Sequence, residues 1–166
     1  MAEVSYRQVE LTDGFWKKRQ DIVKDITIKS VYNRFFDTGR VKAFEMKWKK
    51  GDKNMPHVFW DSDIAKWMEG VSLFSEITPE NIEKIENLID CIEAGQDENG
   101  YFNIFFTVVE PENRFDKRTE HELYCAGHLM EAAVAYYRTT GKDRFLRIMC
   151  RYADHIEKVF KLDRVP

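Results

Sequence analysis

The stretch TEHELYCAGHLMEAAVAYY, residues 119–137, is polar at its start and alanine-rich towards its end. On a helix, the steps from His121 to Cys125 (i, i+4) and from His121 to His128 (i, i+7) hold three side chains in one narrow stripe. Two imidazoles and a thiol would then share a face. Ala132, Ala133 and Ala135, following Gly127, would let a neighbouring helix come close. One end of the segment looks chemical and the other structural.

Three readings of the stripe compete. In the first, His121, Cys125 and His128 are polar or small residues at a packing seam. In the second they hold zinc, since both ligand types suit that ion. Against this, residues two turns apart stand about 10 Å apart along the axis, and His-Glu-x-x-Cys departs from the His-Glu-x-x-His pattern of zinc hydrolases. In the third, His121 sits in the first helical turn and faces a pocket as a neutral hydrogen-bonding group, because the helix dipole disfavours an imidazolium there.

Outward from this stretch, the chain reads as all-α. Thr12 or Asp13 is suited to cap a first helix that ends at Gly39, with Phe15, Ile22, Ile26, Tyr32 and Phe36 as its apolar side. Residues 40–59 lose the period, and Lys47, Lys49, Lys50 and Lys53 around Gly51 read as a solvated loop. Asp61 or Ser62 is placed to cap a helix running to about Glu76, with Ile64, Trp67, Met68, Val71 and Phe74 buried.

Asp61 and Asp63 also fit an acid/base reading, but capping explains them first and would hold them ionised. Trp67 belongs to the core by its spacing, whereas Trp60, just outside the helix, could wall a pocket. Thr78-Pro79 opens another helix carrying Ile82, Ile85, Ile89 and Ile92, and Asn99-Gly100 ends it. Tyr101–Val109 is aromatic and branched enough to be extended, within a long excursion to Lys117. Thr139-Thr140-Gly141 joins the 119–137 helix to a last one bearing Phe145, Leu146, Met149, Tyr152, Ile156 and Phe160.

Of 166 residues, 43% are hydrophobic and 33% charged, with net charge −3, which excludes a disordered chain and gives no basic surface for nucleic acid. No apolar run approaches the roughly 20 residues of a membrane span, and the start MAEVSYRQVELTDG has no signal-peptide pattern. A cytoplasmic chain is expected. Cys91, Cys125 and Cys150 are odd in number and widely spaced, and read as reduced, buried small residues.

His-Glu-Leu-Tyr-Cys-Ala-Gly-His, with the following Glu-Ala-Ala-Val-Ala-Tyr-Tyr, resembles the beta-L-arabinofuranosidases of glycoside hydrolase family 127. Trp60-Asp61-Ser62-Asp63-Ile64-Ala65-Lys66-Trp67, Gln96-Asp97-Glu98-Asn99-Gly100-Tyr101 and Tyr152-Ala153-Asp154-His155-Ile156 continue the resemblance in order, from about Gly14 to Phe160. It implies helical hairpins forming part of an (α/α)6 toroid. Residues 1–166 are then a single partial domain, with 1–13 as an extended arm. Twelve helices need roughly 190 residues even at minimum lengths, so this chain would hold under half the ring.

The resemblance further implies retaining hydrolysis by a cysteine held on zinc by other cysteines and a glutamate, with a separate acid/base glutamate. All of these lie in later family segments, so no catalytic residue, metal ligand or cofactor is assigned to this chain. His121 matches a family histidine that contacts the sugar, and His128 is a second substrate-binding candidate. The expected function is the amino-terminal portion of an enzyme acting on arabinose-containing glycans, inactive alone. Self-association, or association with a missing carboxy-terminal segment, is expected to cover its open faces. The alternatives are a non-catalytic helical scaffold that binds a partner and a metal hydrolase built on His121, Cys125 and His128.

Overall fold

The computed structural model describes Val4 and residues 8–160, and among these no strand occurs. The helices are α1 (Gly14–Ile22), α2 (Ile28–Asp37), α3 (Arg40–Ala43), α4 (Trp60–Ser72), α5 (Pro79–Gly95), α6 (Phe105–Val108), α7 (Glu122–Thr140) and α8 (Arg144–Val159). The all-α expectation holds. Of the arm expected at residues 1–13, residues 1–3 and 5–7 lie outside the described residues, and 9–13 lead into α1 without forming a helix or strand.

The central pair is α4 and α7. Cys125 Sγ donates to the Val58 carbonyl at 3.3 Å near one end, and Thr139 Oγ1 donates to the Ser72 carbonyl at 2.6 Å near the other. The two helices therefore run in the same direction. Their approach is possible because Ala65, Ala132 and Ala133 present only methyl groups and are wholly buried. Around this pair, α2 packs on α4, α8 on α7, and α5 against α8. The Tyr136 hydroxyl donates to Glu86 Oε1 at 2.6 Å and ties α7 to α5. Two parallel inner helices backed by outer ones constitute an arc of helical hairpins. Its core is formed by Ile64, Met68, Ile85, Ile89, Leu129, Phe145 and Met149.

Helix α5 begins as its sequence dictates, with Thr78 accepting from the Asn81 amide at 3.3 Å and Pro79 in the first turn. The first helix departs from expectation. A π-helical turn at Val23–Thr27 separates α1 from α2, and its wider turn shifts the side-chain register by about one residue. The expected apolar side is split: Phe15, Ile22, Ile26 and Phe36 are exposed, while Ile28, Val31, Tyr32 and Phe35 meet the core. A fully buried side chain of this size contributes about 1.5–3 kcal/mol. Phe15 at 60% exposure, Ile26 at 59% and Phe36 at 64% forgo most of that.

The excursion after α5 is also less extended than expected, since α6 and a 3-10 turn at Pro111–Asn113 occupy part of it. Its entry depends on Gly100, at φ 92°, where an added Cβ would stand 2.3 Å from the Arg151 carbonyl oxygen. Only glycine fits there. Gln96 Nε2 donates to the Gly100 carbonyl at 2.8 Å and to the Ile148 carbonyl at 2.9 Å, fastening this turn to α8.

Candidate functional site

Beneath the amino-terminal ends of α4 and α7 lies a layer of buried polar groups that holds the excursion in place. Asp61, in the first turn of α4, is fully buried, and its Oδ1 accepts from the Ile104 amide at 3.0 Å. The expectation that Asp61 caps its own helix is therefore wrong. Phe59 occupies the cap position, and Ser62 Oγ donates back to the Phe59 carbonyl at 2.8 Å. The expectation that Asp61 is held ionised also fails, because burial outweighs its amide bond and pushes the carboxyl up to about 7. Asp63 instead meets the Arg40 guanidinium at 2.9 Å. The same guanidinium covers the Trp60 ring at 5.1 Å, so Trp60 is a buried support and not an open wall.

Glu122 is the second anchor, which the sequence reading passed over. It is 5% exposed, accepts from the Tyr101 hydroxyl at 2.6 Å through Oε1 and from the Phe115 amide through Oε2. Desolvation raises its pKa. Arg114 closes the network, with its guanidinium 4.0 Å from the Tyr101 ring centroid, 2.6 Å from Asp97 Oδ2 and donating to the Phe106 carbonyl at 2.9 Å. A glutamate at the first helical position between two histidines signals only a dipole partner from sequence. Its bonds reach residues that lie 7 and 21 positions away.

Above this layer opens a groove of about 810 Å³, whose walls include Phe115, Lys117, Arg118, His121, Tyr124 and Phe160. His121 is not in the first turn of α7 but at its cap, with φ 65° in the left-handed region, while its carbonyl accepts from the Cys125 amide at 2.8 Å. That backbone turns the residue out of the helical repeat. The proposed stripe is thereby dispersed: His121 is exposed, Cys125 is buried against α4 and His128 is partly buried.

What connects the histidines is a ladder of rings. His57 stacks near Phe59 at 4.1 Å, Phe59 meets His121 at 6.2 Å, His121 meets Tyr124 at 5.5 Å, and Tyr124 meets His128 at 4.6 Å between centroids. Lys66 donates to the Tyr124 hydroxyl at 2.7 Å, fixing the middle rung. Edge-on aromatic walls with a few polar tips suit a polar ligand that also has a nonpolar face.

The thiolate zinc implied by the resemblance finds no ligand set here. Cys91 is partly buried, Cys125 buried and Cys150 exposed, so the expectation that all three are buried fails for Cys150. Burial pushes the Cys125 thiol well up, away from the thiolate that a nucleophile or metal ligand requires. Among the described residues, the group of three metal-ligating side chains close enough to share an ion contains no cysteine and omits His121. The reading of His121, Cys125 and His128 as a metal hydrolase has no geometric support.

The chain is thus a layered helical arc with an aromatic groove over a buried carboxylate layer. The sequence matches the beta-L-arabinofuranosidase GH127 catalytic domain over residues 8–164, and the chain belongs to that family. It is 28% identical to a non-reducing end beta-L-arabinofuranosidase of Bifidobacterium longum subsp. longum, over 92% of this chain and 27% of that protein. Among solved structures, a GH127 beta-L-arabinofuranosidase from Geobacillus stearothermophilus T6 superposes with a TM-score of 0.83 at 40% identity, covering 91% of this chain and 26% of the other. The GH127 beta-arabinofuranosidase BT3674 gives 0.79 at 29% identity, covering 92% and 26%. The chain thus spans about a quarter of the length of these relatives.

Proposed function

We propose that this chain forms a sugar-holding part of a beta-L-arabinofuranosidase domain that acts on arabinose-containing glycans, and that it does not hydrolyse them alone. The observation that carries the reading is His121, exposed on a groove with Phe115 and Tyr124 and bonded through its backbone to the start of α7. An imidazole there can donate or accept a hydrogen bond to a sugar hydroxyl, while the rings cover the nonpolar face of the furanose. His128 is the second contact, through Nε2, because Nδ1 is turned against Glu131 at 3.0 Å.

Glycosidic cleavage needs proton donation to the leaving oxygen and a nucleophile or activated water opposite. Asp61 and Glu122 are the buried carboxyls nearest the groove, and both are committed to backbone amides. Cys125 is buried with its thiol held protonated. None of these is placed to supply the missing chemistry, so the reaction requires further residues of the domain. Exposed Leu123, Val134 and Tyr137 on α7 support a partnership with such a segment, or with another copy of the chain. The three unpaired cysteines fit a reducing, cytoplasmic setting.

The test compares the chain alone with the chain joined to a family carboxy-terminal segment, on an aryl beta-L-arabinofuranoside with zinc and a thiol reductant. Turnover is expected only in the joined protein, and His121→Ala there is expected to weaken turnover with zinc content unchanged. Clear turnover by the chain alone overturns the inactivity claim, and full activity of His121→Ala removes the sugar contact. Exposed apolar residues on both α1 and α7 also favour a second reading, a helical scaffold that binds a partner without catalysis. Absence of turnover in the joined protein, with a stable complex formed, would select it.

A further inference from the structure

On the flank of the α4–α7 pair, at the His128 end of the ring ladder, three side chains meet that the sugar-holding reading does not require together. Glu69 projects from α4, and His128 and Glu131 from successive turns of α7, with a carboxylate oxygen or ring nitrogen of each within 4.8 Å of the others. His128 Nδ1 lies 3.0 Å from Glu131 Oε2, yet it is shielded from water and has no partner in hydrogen-bond geometry. Among the described residues, neither Glu69 nor Glu131 forms an ion pair with a lysine or arginine, unlike Glu80, Glu86 and Asp90. Lys66, one turn before Glu69, is engaged by Tyr124. Two carboxylates thus face one imidazole with no cationic side chain between them.

We infer that Glu69, His128 and Glu131 form a binding site for a divalent cation of the zinc class. The donor set of one imidazole and two carboxylates suits zinc or cobalt better than magnesium or calcium, which prefer oxygen alone. Ligand atoms about 2.1 Å from a tetrahedral ion stand roughly 3.4 Å apart, so a set within 4.8 Å of one another need contract by no more than about 1.4 Å. Glu131, exposed on its helix, can supply that by rotating its side chain. His128 and Glu131 stand three residues apart on one helical face, and the packing of α4 on α7 brings Glu69 to them. Three protein ligands would leave the fourth tetrahedral position to a water molecule. With no thiolate, the site differs in chemistry from the cysteine zinc centre implied by the resemblance, and it does not depend on the sugar reading.

The experiment titrates the demetallated 166-residue chain with cobalt(II), followed by visible absorption. One saturating equivalent with ligand-field bands and no sulfur-to-cobalt charge-transfer band is expected. Glu69→Gln and Glu131→Gln keep the size of surface side chains and should retain the helical circular dichroism. Each should weaken cobalt binding by more than about tenfold, since loss of even an outer partner of a metal ligand costs about 10–100-fold. Zinc should raise the thermal midpoint of the parent chain and not that of Glu131→Gln. No saturable binding, a charge-transfer band from a thiolate, or unchanged affinity in both variants would overturn the inference.

Discussion

The excursion at residues 96–121 and the first helical segment at residues 14–37 differ in a way that reverses their sequence signals. The excursion is irregular, yet Asp61 and Glu122 fasten it to α4 and α7 while Arg114 ties it to itself, with bonds that water does not reach freely. The first segment is almost continuous helix, yet it carries Phe15, Trp16, Ile26 and Phe36 exposed. Regular backbone is therefore no measure of how firmly a segment is held. A buried carboxylate that satisfies amides on another segment fixes position, because breaking it leaves charged and polar groups stranded away from water.

The largest break in this contrast should come from Glu122→Ala, which strands the Tyr101 hydroxyl and the Phe115 amide. At about 1–3 kcal/mol for each stranded group, we expect a loss on the order of 4 kcal/mol, read as a lower urea midpoint. Glu122→Gln should recover part of it. Gly100→Ala comes next, because its methyl would collide with the Arg151 carbonyl and the backbone is left-handed. A loss of about 2–3 kcal/mol is expected. An unchanged midpoint would show that the turn at Gly100 shifts freely and is not a fixed anchor.

Asp61→Asn sharpens the comparison through pH. The folded carboxyl sits near 7, above its unfolded value of 3.8, so the folded chain binds the extra proton between those values. Stability from this group is fully present below about pH 4 and is lost as pH rises through 7. The parent chain should therefore weaken by a few kcal/mol between pH 4 and pH 8 from this group. The asparagine side chain keeps the acceptor for the Ile104 amide without a charge, so the variant should show a much smaller decline and be the more stable chain at pH 8. Matching slopes in urea titrations at both pH values would refute the assignment. The smallest effect belongs to the first segment: replacing Phe15 and Ile26 together by serine should change stability by no more than about 0.5 kcal/mol each, while reducing hydrophobic-dye binding.

His121 shows where sequence reading ran out within the site. Its place before an amphipathic run marked it, and the groove does include it, but its helical phase was unreadable because the left-handed backbone is set by the excursion that delivers it. Cys125 and His128 keep helical phase and separate accordingly, one into the α4 seam and one to its rim. Glu122 was missed because its partners are distant in the chain.

By itself the sequence determined the helices at 60–72, 79–95, 122–140 and 144–159 to within a few residues, since apolar period, Thr78-Pro79 and Gly141 are local signals. It also determined the close seam of alanines and the family. Tertiary structure alone decided the protonation of Asp61, the keystone role of Glu122, the face on which α1 and α2 turn, and the meeting of Glu69 with His128 and Glu131. Those outcomes depend on desolvation and on contacts between residues far apart in the chain, and neither quantity exists until the helices have packed.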